Sequence, residues 1–107
     1  MKNYKSLHKK RTGTSFRGYI LATYSDLLKT FGDPNSEGDG YKVDVEWVLD
    51  TPHGVATIYN YKDGRAYLGK RGTPIEYIYE WHVGGKNIES YQWVREKLFE
   101  TIKASFS

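Results

Sequence analysis

The chain has 107 residues, of which 16% are aromatic and none is cysteine. This length suits a single domain with one hydrophobic core, and the lack of cysteine excludes disulfides and thiolate metal sites. The formal net charge of +3 comes from the first eleven residues, because residues 12–107 hold 11 basic against 13 acidic side chains. The body is therefore slightly acidic, which disfavours sequence-specific reading of DNA.

Residues 1–13 are basic and polar, and we expect them to form a flexible arm that either aids solubility or contacts phosphates. Residues 14–107 are predicted to form one domain. No apolar run approaches the roughly 20 residues that span a bilayer, and none of signal-peptide length follows the basic N-terminus. The expected location is the cytoplasm, without membrane contact.

The first predicted elements are a strand over 15–22 and a short helix. Aromatic and β-branched residues dominate the strand. Thr23 or Ser25 can cap the helix, and Gly32 can end it. Residues 33–40 contain only turn formers and acids, which predicts a surface loop.

A hairpin is predicted over 41–62. Residues 41–50 alternate between apolar and polar side chains, which indicates a strand with one buried and one solvated face. A turn at 51–54 then leads into a second strand over 55–62.

The last third of the chain contains further strands and a helix. A short strand over 65–69 and a basic loop over 70–74 precede a strand over 75–83. On that strand Tyr77, Tyr79 and Trp81 share a parity, and we expect them to line the core. The alternative is an exposed aromatic patch, which would be a binding surface.

Asn87 caps a predicted C-terminal helix, in which apolar residues recur at helical spacing. These residues are Tyr91, Val94, Leu98 and Ile102, with Ile88, Phe99 and Phe106 beside them. The elements together predict an α+β single domain with a mainly antiparallel sheet of about four strands, a short helix after strand 1 and a C-terminal helix packed on the sheet. The alternative architecture is a strongly curved sheet wrapped around that helix.

Residues that carry catalysis are sparse. His8, His53 and His82 lie far apart in sequence, so neither a nucleophilic triad nor a zinc site with closely spaced ligands is indicated. The acidic stretch 33–44 matches a calcium loop only superficially, because a strand rather than a helix is expected after it. We therefore expect no enzymatic activity, no metal and no cofactor. The alternative is a small hydrolase with Glu80 and His82 as acid and base, since residues two apart on a strand share a face.

Candidate binding residues combine aromatic and basic side chains. A glycine-flanked basic turn at 69–72 can hold a phosphate, and aromatic rings on neighbouring strands can stack on bases or fill an interface hot spot. The predicted partner- or phosphate-binding residues are Arg17, Tyr59, Tyr61, Lys62, Arg65, Lys70, Arg71 and His82.

Three segments resemble a family of small uncharacterised phage proteins. They are residues 39–47 (DGYKVDVEW), 55–62 (VATIYNYK) and 80–85 (EWHVGG), and the similarity extends to 13–15 and 31–34. The resemblance covers about the whole predicted domain. It implies an accessory protein directed against host defences, which either inhibits a nuclease complex stoichiometrically, as anti-CRISPR proteins do, or sequesters a nucleotide second messenger. It implies no catalytic residues.

The leading hypothesis is thus a phage-type inhibitor that binds a host defence protein or nuclease complex. One alternative is a homo-oligomeric sponge for a nucleotide immune signal, because a small domain gains an enclosed pocket most easily between subunits. Another is a small nucleic-acid-binding module that uses the basic arm.

Overall fold

The computed structural model describes residues 13–36 and 42–106. The predicted basic arm, apart from Gly13, lies outside the described residues. The elements follow in the order β1 (Ser15–Leu21), α1 (Tyr24–Phe31), β2 (Glu46–Thr51), β3 (Gly54–Tyr59), α2 (Arg65–Leu68), β4 (Glu80–Gly85) and α3 (Ile88–Ala104), with 3₁₀ turns at Gly69–Arg71 and Ile75–Tyr77. The predicted α+β class, with α3 packed on a four-stranded antiparallel sheet, is confirmed.

The sheet has the strand order β1-β4-β3-β2, and every neighbouring pair is antiparallel. The last strand in sequence therefore lies between β1 and β3, which leaves β1 at an edge. On the inner face Ile20 is opposite Trp81. Val83 is opposite Ile58, which in turn is opposite Trp47. These five residues are buried against the helices and form the centre of the core.

Two fully buried tryptophans hold α1 against the sheet. The rings of Trp47 and Trp81 meet edge to face, with centroids 5.6 Å apart. The indole N–H of Trp81 donates to the carbonyl of Ala22, just before α1, at 2.9 Å. The indole N–H of Trp47 donates to the carbonyl of Gly32, just after α1, at 2.8 Å. Each end of the helix is thus fixed to a different strand.

The predicted helix caps are confirmed. Thr23 and Asp26 form a reciprocal capping box at the start of α1, and Gly32 ends it with φ of 79°. The Asn87 side chain accepts from the backbone N–H of Ser90 at the start of α3. In the part of the chain that the structure describes, no helix is long and apolar enough to cross a bilayer.

The predicted strand over 75–83 is wrong in its first half. Ile75–Tyr77 forms a 3₁₀ turn, with the N–H of Tyr77 donating to the carbonyl of Pro74, and sheet pairing begins only at Glu80. The turn buries Ile78 instead of the two tyrosines that flank it, so Tyr77 is 76% exposed and Tyr79 57% exposed. Of the three aromatic residues expected in the core, Trp81 alone lies there.

The prediction that one face of β2 is solvated is also wrong, because Glu46 and Val48 on that face are buried. The side-chain amide of Asn35 bonds both the N–H and the carbonyl of Val48, and Ser36 pairs with Glu46 through backbone and hydroxyl. Residues 35–36 thus cover the outer edge of β2. The region 65–69, expected as a strand, contains α2.

Candidate functional site

The outer face of the sheet, opposite the helices, carries a cluster of aromatic side chains from three strands. Tyr19 of β1 lies opposite His82 of β4, which lies opposite Tyr59 of β3, so the three side chains share one face. Phe16 and Tyr61 complete the group through ring contacts. We call these five residues the aromatic surface.

His82 is the centre of this surface. Its ring centroid lies 4.9 Å from that of Tyr19, and 5.5 Å from those of Phe16, Tyr59 and Tyr61. Tyr59 stacks on the imidazole at 25°, whereas the other rings meet it tilted or edge to face. Each of the four rings packs against His82, and Phe16 also meets Tyr19 edge to face, which favours a pre-organised surface.

One edge of the His82 ring is shielded from solvent. Its Nδ1 is buried and has no hydrogen-bond partner among the described residues. Burial lowers the pKa of His82, and the negative charges of Asp63 and Glu80 oppose that shift only in part. His82 is therefore a neutral aromatic ring at neutral pH.

Burial also shifts the pKa of Tyr59. Burial raises its pKa most, and the charges of Glu46, Tyr61 and Tyr19 raise it further. At neutral pH the centre of the surface is thus a neutral imidazole stacked on the Tyr59 phenol, with the Lys62 ammonium at its rim.

A cation lies at the rim of the aromatic surface. The Lys62 ammonium is 5.3 Å from the centroid of the Tyr61 ring and 5.7 Å from that of Tyr67. Lys62 is also the only non-glycine residue with positive φ in the described part of the chain, at 60°. Such a conformation persists only where neighbouring contacts enforce it.

The backbone N–H of Lys62 donates to the carbonyl of Lys42 at 2.7 Å, and Asn60 holds the chain two residues earlier. It is fully buried, and its side-chain oxygen accepts from the backbone N–H groups of Asp44 and Val45 at 2.8 and 3.3 Å. Its amide nitrogen donates to the carboxylates of Asp44 and Asp63 at 2.8 and 3.1 Å. Asn60 therefore anchors the chain immediately before Tyr61 and Lys62.

The structure places the predicted binding residues in three locations. Tyr59, Tyr61, Lys62 and His82 come together in and beside the aromatic surface. Arg17 does not join them as a free cation, because its guanidinium donates to the carbonyls of Gly85 and Lys86 at 3.1 and 2.8 Å. Arg65, Lys70 and Arg71 are exposed on α2 and the following 3₁₀ turn; a phosphate-binding role for that turn stays a prediction.

Sequence reasoning missed Phe16 and Tyr19. Phe16 pairs with Gly84 and Gly18 pairs with Val83, so β1 has one extra residue at Arg17, a β-bulge. The bulge places Phe16 and Tyr19 on the same face although they are three residues apart. The glycine in the predicted strand was the available signal, since glycine inside a strand often marks a bulge.

Glu80 and His82 do lie on the same face, as the hydrolase alternative requires, because they face Leu21 and Tyr19 on β1. No group of three or more His, Asp or Glu residues is arranged to hold a metal ion within residues 13–36 and 42–106. No family model matches the chain, and searches of curated proteins and of solved structures give no match either.

Proposed function

We propose that this protein is a non-enzymatic accessory protein that binds a partner protein through the aromatic surface in fixed stoichiometry. The observation that supports this proposal is the exposure of a pre-organised ring cluster. Phe16 and Tyr19 are about half exposed although both are packed against His82. Contiguous exposed aromatic patches on small domains are typical of interaction sites.

The composition of the surface suits a protein interface. Tyrosine is enriched at interface hot spots, where aromatic side chains contribute large contact areas. The rings around His82 already have defined positions, so little side-chain entropy is lost when a partner binds. A neutral imidazole at the centre avoids burying an unpaired charge in the interface.

The class of partner in the proposal is a bacterial defence protein or nuclease complex, which the protein inhibits. The resemblance to small phage proteins supports this class. Two of the similar segments fall on the aromatic surface: residues 80–85 coincide with β4, and residues 55–62 run from β3 through Tyr61 to Lys62. The similar segments therefore supply four of the residues that we propose as contacts.

The test is affinity capture from a bacterial lysate rich in defence systems, followed by native mass spectrometry for stoichiometry. The contact variant is Tyr19→Ala with Tyr61→Ala, and the control is Tyr77→Ala, since Tyr77 is exposed on a turn next to α1. We expect a partner with the wild type and the control, and its loss with the double variant. Capture that is insensitive to the double variant would remove the aromatic surface from the proposal.

A second candidate is a nucleotide or single-stranded nucleic-acid ligand. The pairing of Lys62 with the exposed ring of Tyr61 favours it, because a ring that stacks on a base beside a cation that meets a phosphate is the usual arrangement for such ligands. Tyrosine fluorescence and thermal shift with cyclic dinucleotides, ADP-ribose and short oligonucleotides test it. A saturable response that Tyr61→Ala and Lys62→Ala each abolish would favour this candidate over protein binding.

A further inference from the structure

A row of three side chains crosses the aromatic surface at right angles to the strands. Tyr19 on β1, His82 on β4 and Tyr59 on β3 are direct cross-strand partners. Neighbouring strands of a sheet lie about 4.8 Å apart, so the backbones of the two tyrosines are separated by about 9.6 Å. The ring centroids follow this spacing, at 4.9 Å from Tyr19 to His82 and 5.5 Å from His82 to Tyr59.

A polyproline II helix repeats over the same distance. It has three residues per turn and a rise of about 3.1 Å per residue, so every third residue lies on the same side, about 9.3 Å further along. A proline-rich segment that crosses the strands therefore presents one residue to Tyr19 and, one turn later, another to Tyr59. A segment in the β conformation fits the row less well, because its residues on one side are about 6.7 Å apart.

The phenol hydroxyls of the aromatic surface match the hydrogen-bonding needs of such a segment. Proline has no N–H and a polyproline II helix has no internal hydrogen bonds, so the backbone of the segment offers carbonyl acceptors only. The hydroxyls of Tyr19, Tyr59 and Tyr61 donate no hydrogen bond to any residue that the structure describes. These three donors are therefore available to the carbonyls of a proline-rich segment.

Strand addition is another common way to hold an extended segment, and both edges of the sheet oppose it. At β1 the Tyr91 ring lies against Gly18, and its hydroxyl donates to the carbonyl of Tyr19 at 2.7 Å. At β2 the side-chain amide of Asn35 bonds both the N–H and the carbonyl of Val48. The face of the sheet is therefore a better site for an extended partner segment than either edge.

Positive charge marks the β3 side of the row. The Lys62 ammonium lies 5.3 Å from the centroid of the Tyr61 ring, and it forms no ion pair with the residues that the structure describes. Arg65, Lys70 and Arg71 follow on α2 and the next 3₁₀ turn. Negative charge at one end of a bound segment complements this side of the surface.

We infer that the partner presents a proline-rich segment in the polyproline II conformation, with acidic residues at one end, across Tyr19, His82 and Tyr59. The inference rests on the proposed function, since it names the chemistry of the partner at the same surface. Residues three apart in the segment contact Tyr19 and Tyr59, and the acidic end lies beside Lys62. Such a segment is extended before it binds, so its ordering costs little entropy.

Calorimetric titration of the full chain tests the inference, with a synthetic peptide of eight prolines followed by two aspartates as the probe. We expect saturable binding with a dissociation constant of about 1 mM or tighter, and at least about tenfold weaker binding of a flexible glycine-serine peptide with the same two aspartates. Tyr19→Ala should weaken the binding of the proline probe at least about tenfold. Tyr77→Ala, on an exposed tyrosine outside the row, is the matched control and should leave it unchanged. Equal binding of the two peptides overturns the inference.

A charge exchange keeps the test decisive if Tyr19→Ala disturbs folding. Lys62→Glu should weaken the binding of the aspartate probe about fivefold, because it sets like charges together at the rim. The same variant should bind a probe that ends in two lysines about fivefold more tightly than the wild type does. If Lys62→Glu changes the binding of both probes equally, the acidic end does not lie beside Lys62 and the inference is overturned.

The probe and the lysate capture separate this inference from the proposed function. A proline probe that does not bind, together with a captured partner that the double variant loses, overturns the inference and leaves the proposed function in place. A bound probe without any captured partner supports the peptide site and removes the defence-protein class. Saturable binding of an oligonucleotide of eight thymidines in place of the peptide overturns the inference in favour of the nucleic-acid candidate.

Discussion

The imidazole of His82 stacks on the ring of Tyr59, with centroids 5.5 Å apart and 25° between the ring planes. The two residues are direct partners across β3 and β4, so the strand register itself produces the contact. This stacking contributes to the burial of His82, and burial lowers the pKa of His82 below the ordinary value of 6.5. The same contact therefore links the shape of the aromatic surface to pH.

Folding stability should fall as the pH decreases below about 6.5, because the unfolded chain then binds a proton that folded His82 resists. Above that pH the residue is neutral in both states and contributes no pH dependence. The measurement is urea unfolding at pH 7.5, 6.5 and 5.5, a range above most carboxylate titrations. His82→Phe keeps a ring at the position and should flatten the profile.

Two further variants sharpen this prediction. Glu80→Gln removes a charge that partly offsets the shift of the His82 pKa, so the loss of stability towards acid should become steeper. His53→Gln changes an exposed residue in the β2–β3 turn, and it should leave the profile of the wild type unchanged. If the stability of His82→Phe still falls towards acid as in the wild type, the pH dependence belongs to other groups.

Replacement of Asn60 should be among the most destabilising single changes. Asn60→Ala leaves two backbone N–H groups and two carboxylates without their partner, and we expect a loss of about 3 kcal/mol. Asn60→Asp should cost more at neutral pH, since a third carboxylate would lie next to Asp44 and Asp63, and acid should recover part of that loss. Urea unfolding measures both, with Glu76→Ala on an exposed site as control. A loss below about 1 kcal/mol for Asn60→Ala would contradict the central role of the amide.

The two indole hydrogen bonds to the ends of α1 give a third prediction. Trp47→Phe and Trp81→Phe each remove a donor and leave a gap in the core, so each should lower the free energy of unfolding by about 2–4 kcal/mol. Because the two rings touch, the double variant should lose less than the sum of the single losses. Full additivity, measured by chemical denaturation, would show that the two contacts act independently.

Local signals in the sequence were enough to predict much of the fold. The caps Thr23 and Asn87, the hairpin turn at 51–54 and the apolar stripe of α3 depend on residues close together in the chain. The position of β4 between β1 and β3 depends on pairings between distant residues, such as Ile20 with Trp81. Short-range patterns contain no information on such pairings.

The sequence predicts the candidate site only in part, because local patterns do not show which strands pair. Tyr59, Tyr61, Lys62 and His82 lie in segments that the sequence predicts as strands. Their assembly into one surface requires the strand order, and the contributions of Phe16 and Tyr19 require the bulge at Arg17. Tyr77 and Tyr79 were misplaced because the parity rule was extended through residues that form a 3₁₀ turn.

Gly85 gives the last prediction, because this residue of β4 packs against the first turn of α3. A Cβ at this position would overlap the Ser90 hydroxyl, which is buried and donates to the carbonyl of Asn87. Gly85→Ala should therefore destabilise the fold by about 1–3 kcal/mol through overpacking. In a Ser90→Ala background the next neighbours are 3.3 Å or more from the added Cβ, so the same change should cost at least about 1 kcal/mol less. A double-mutant cycle by urea unfolding measures this coupling, and equal costs in the two backgrounds would show that another contact sets the spacing between β4 and α3.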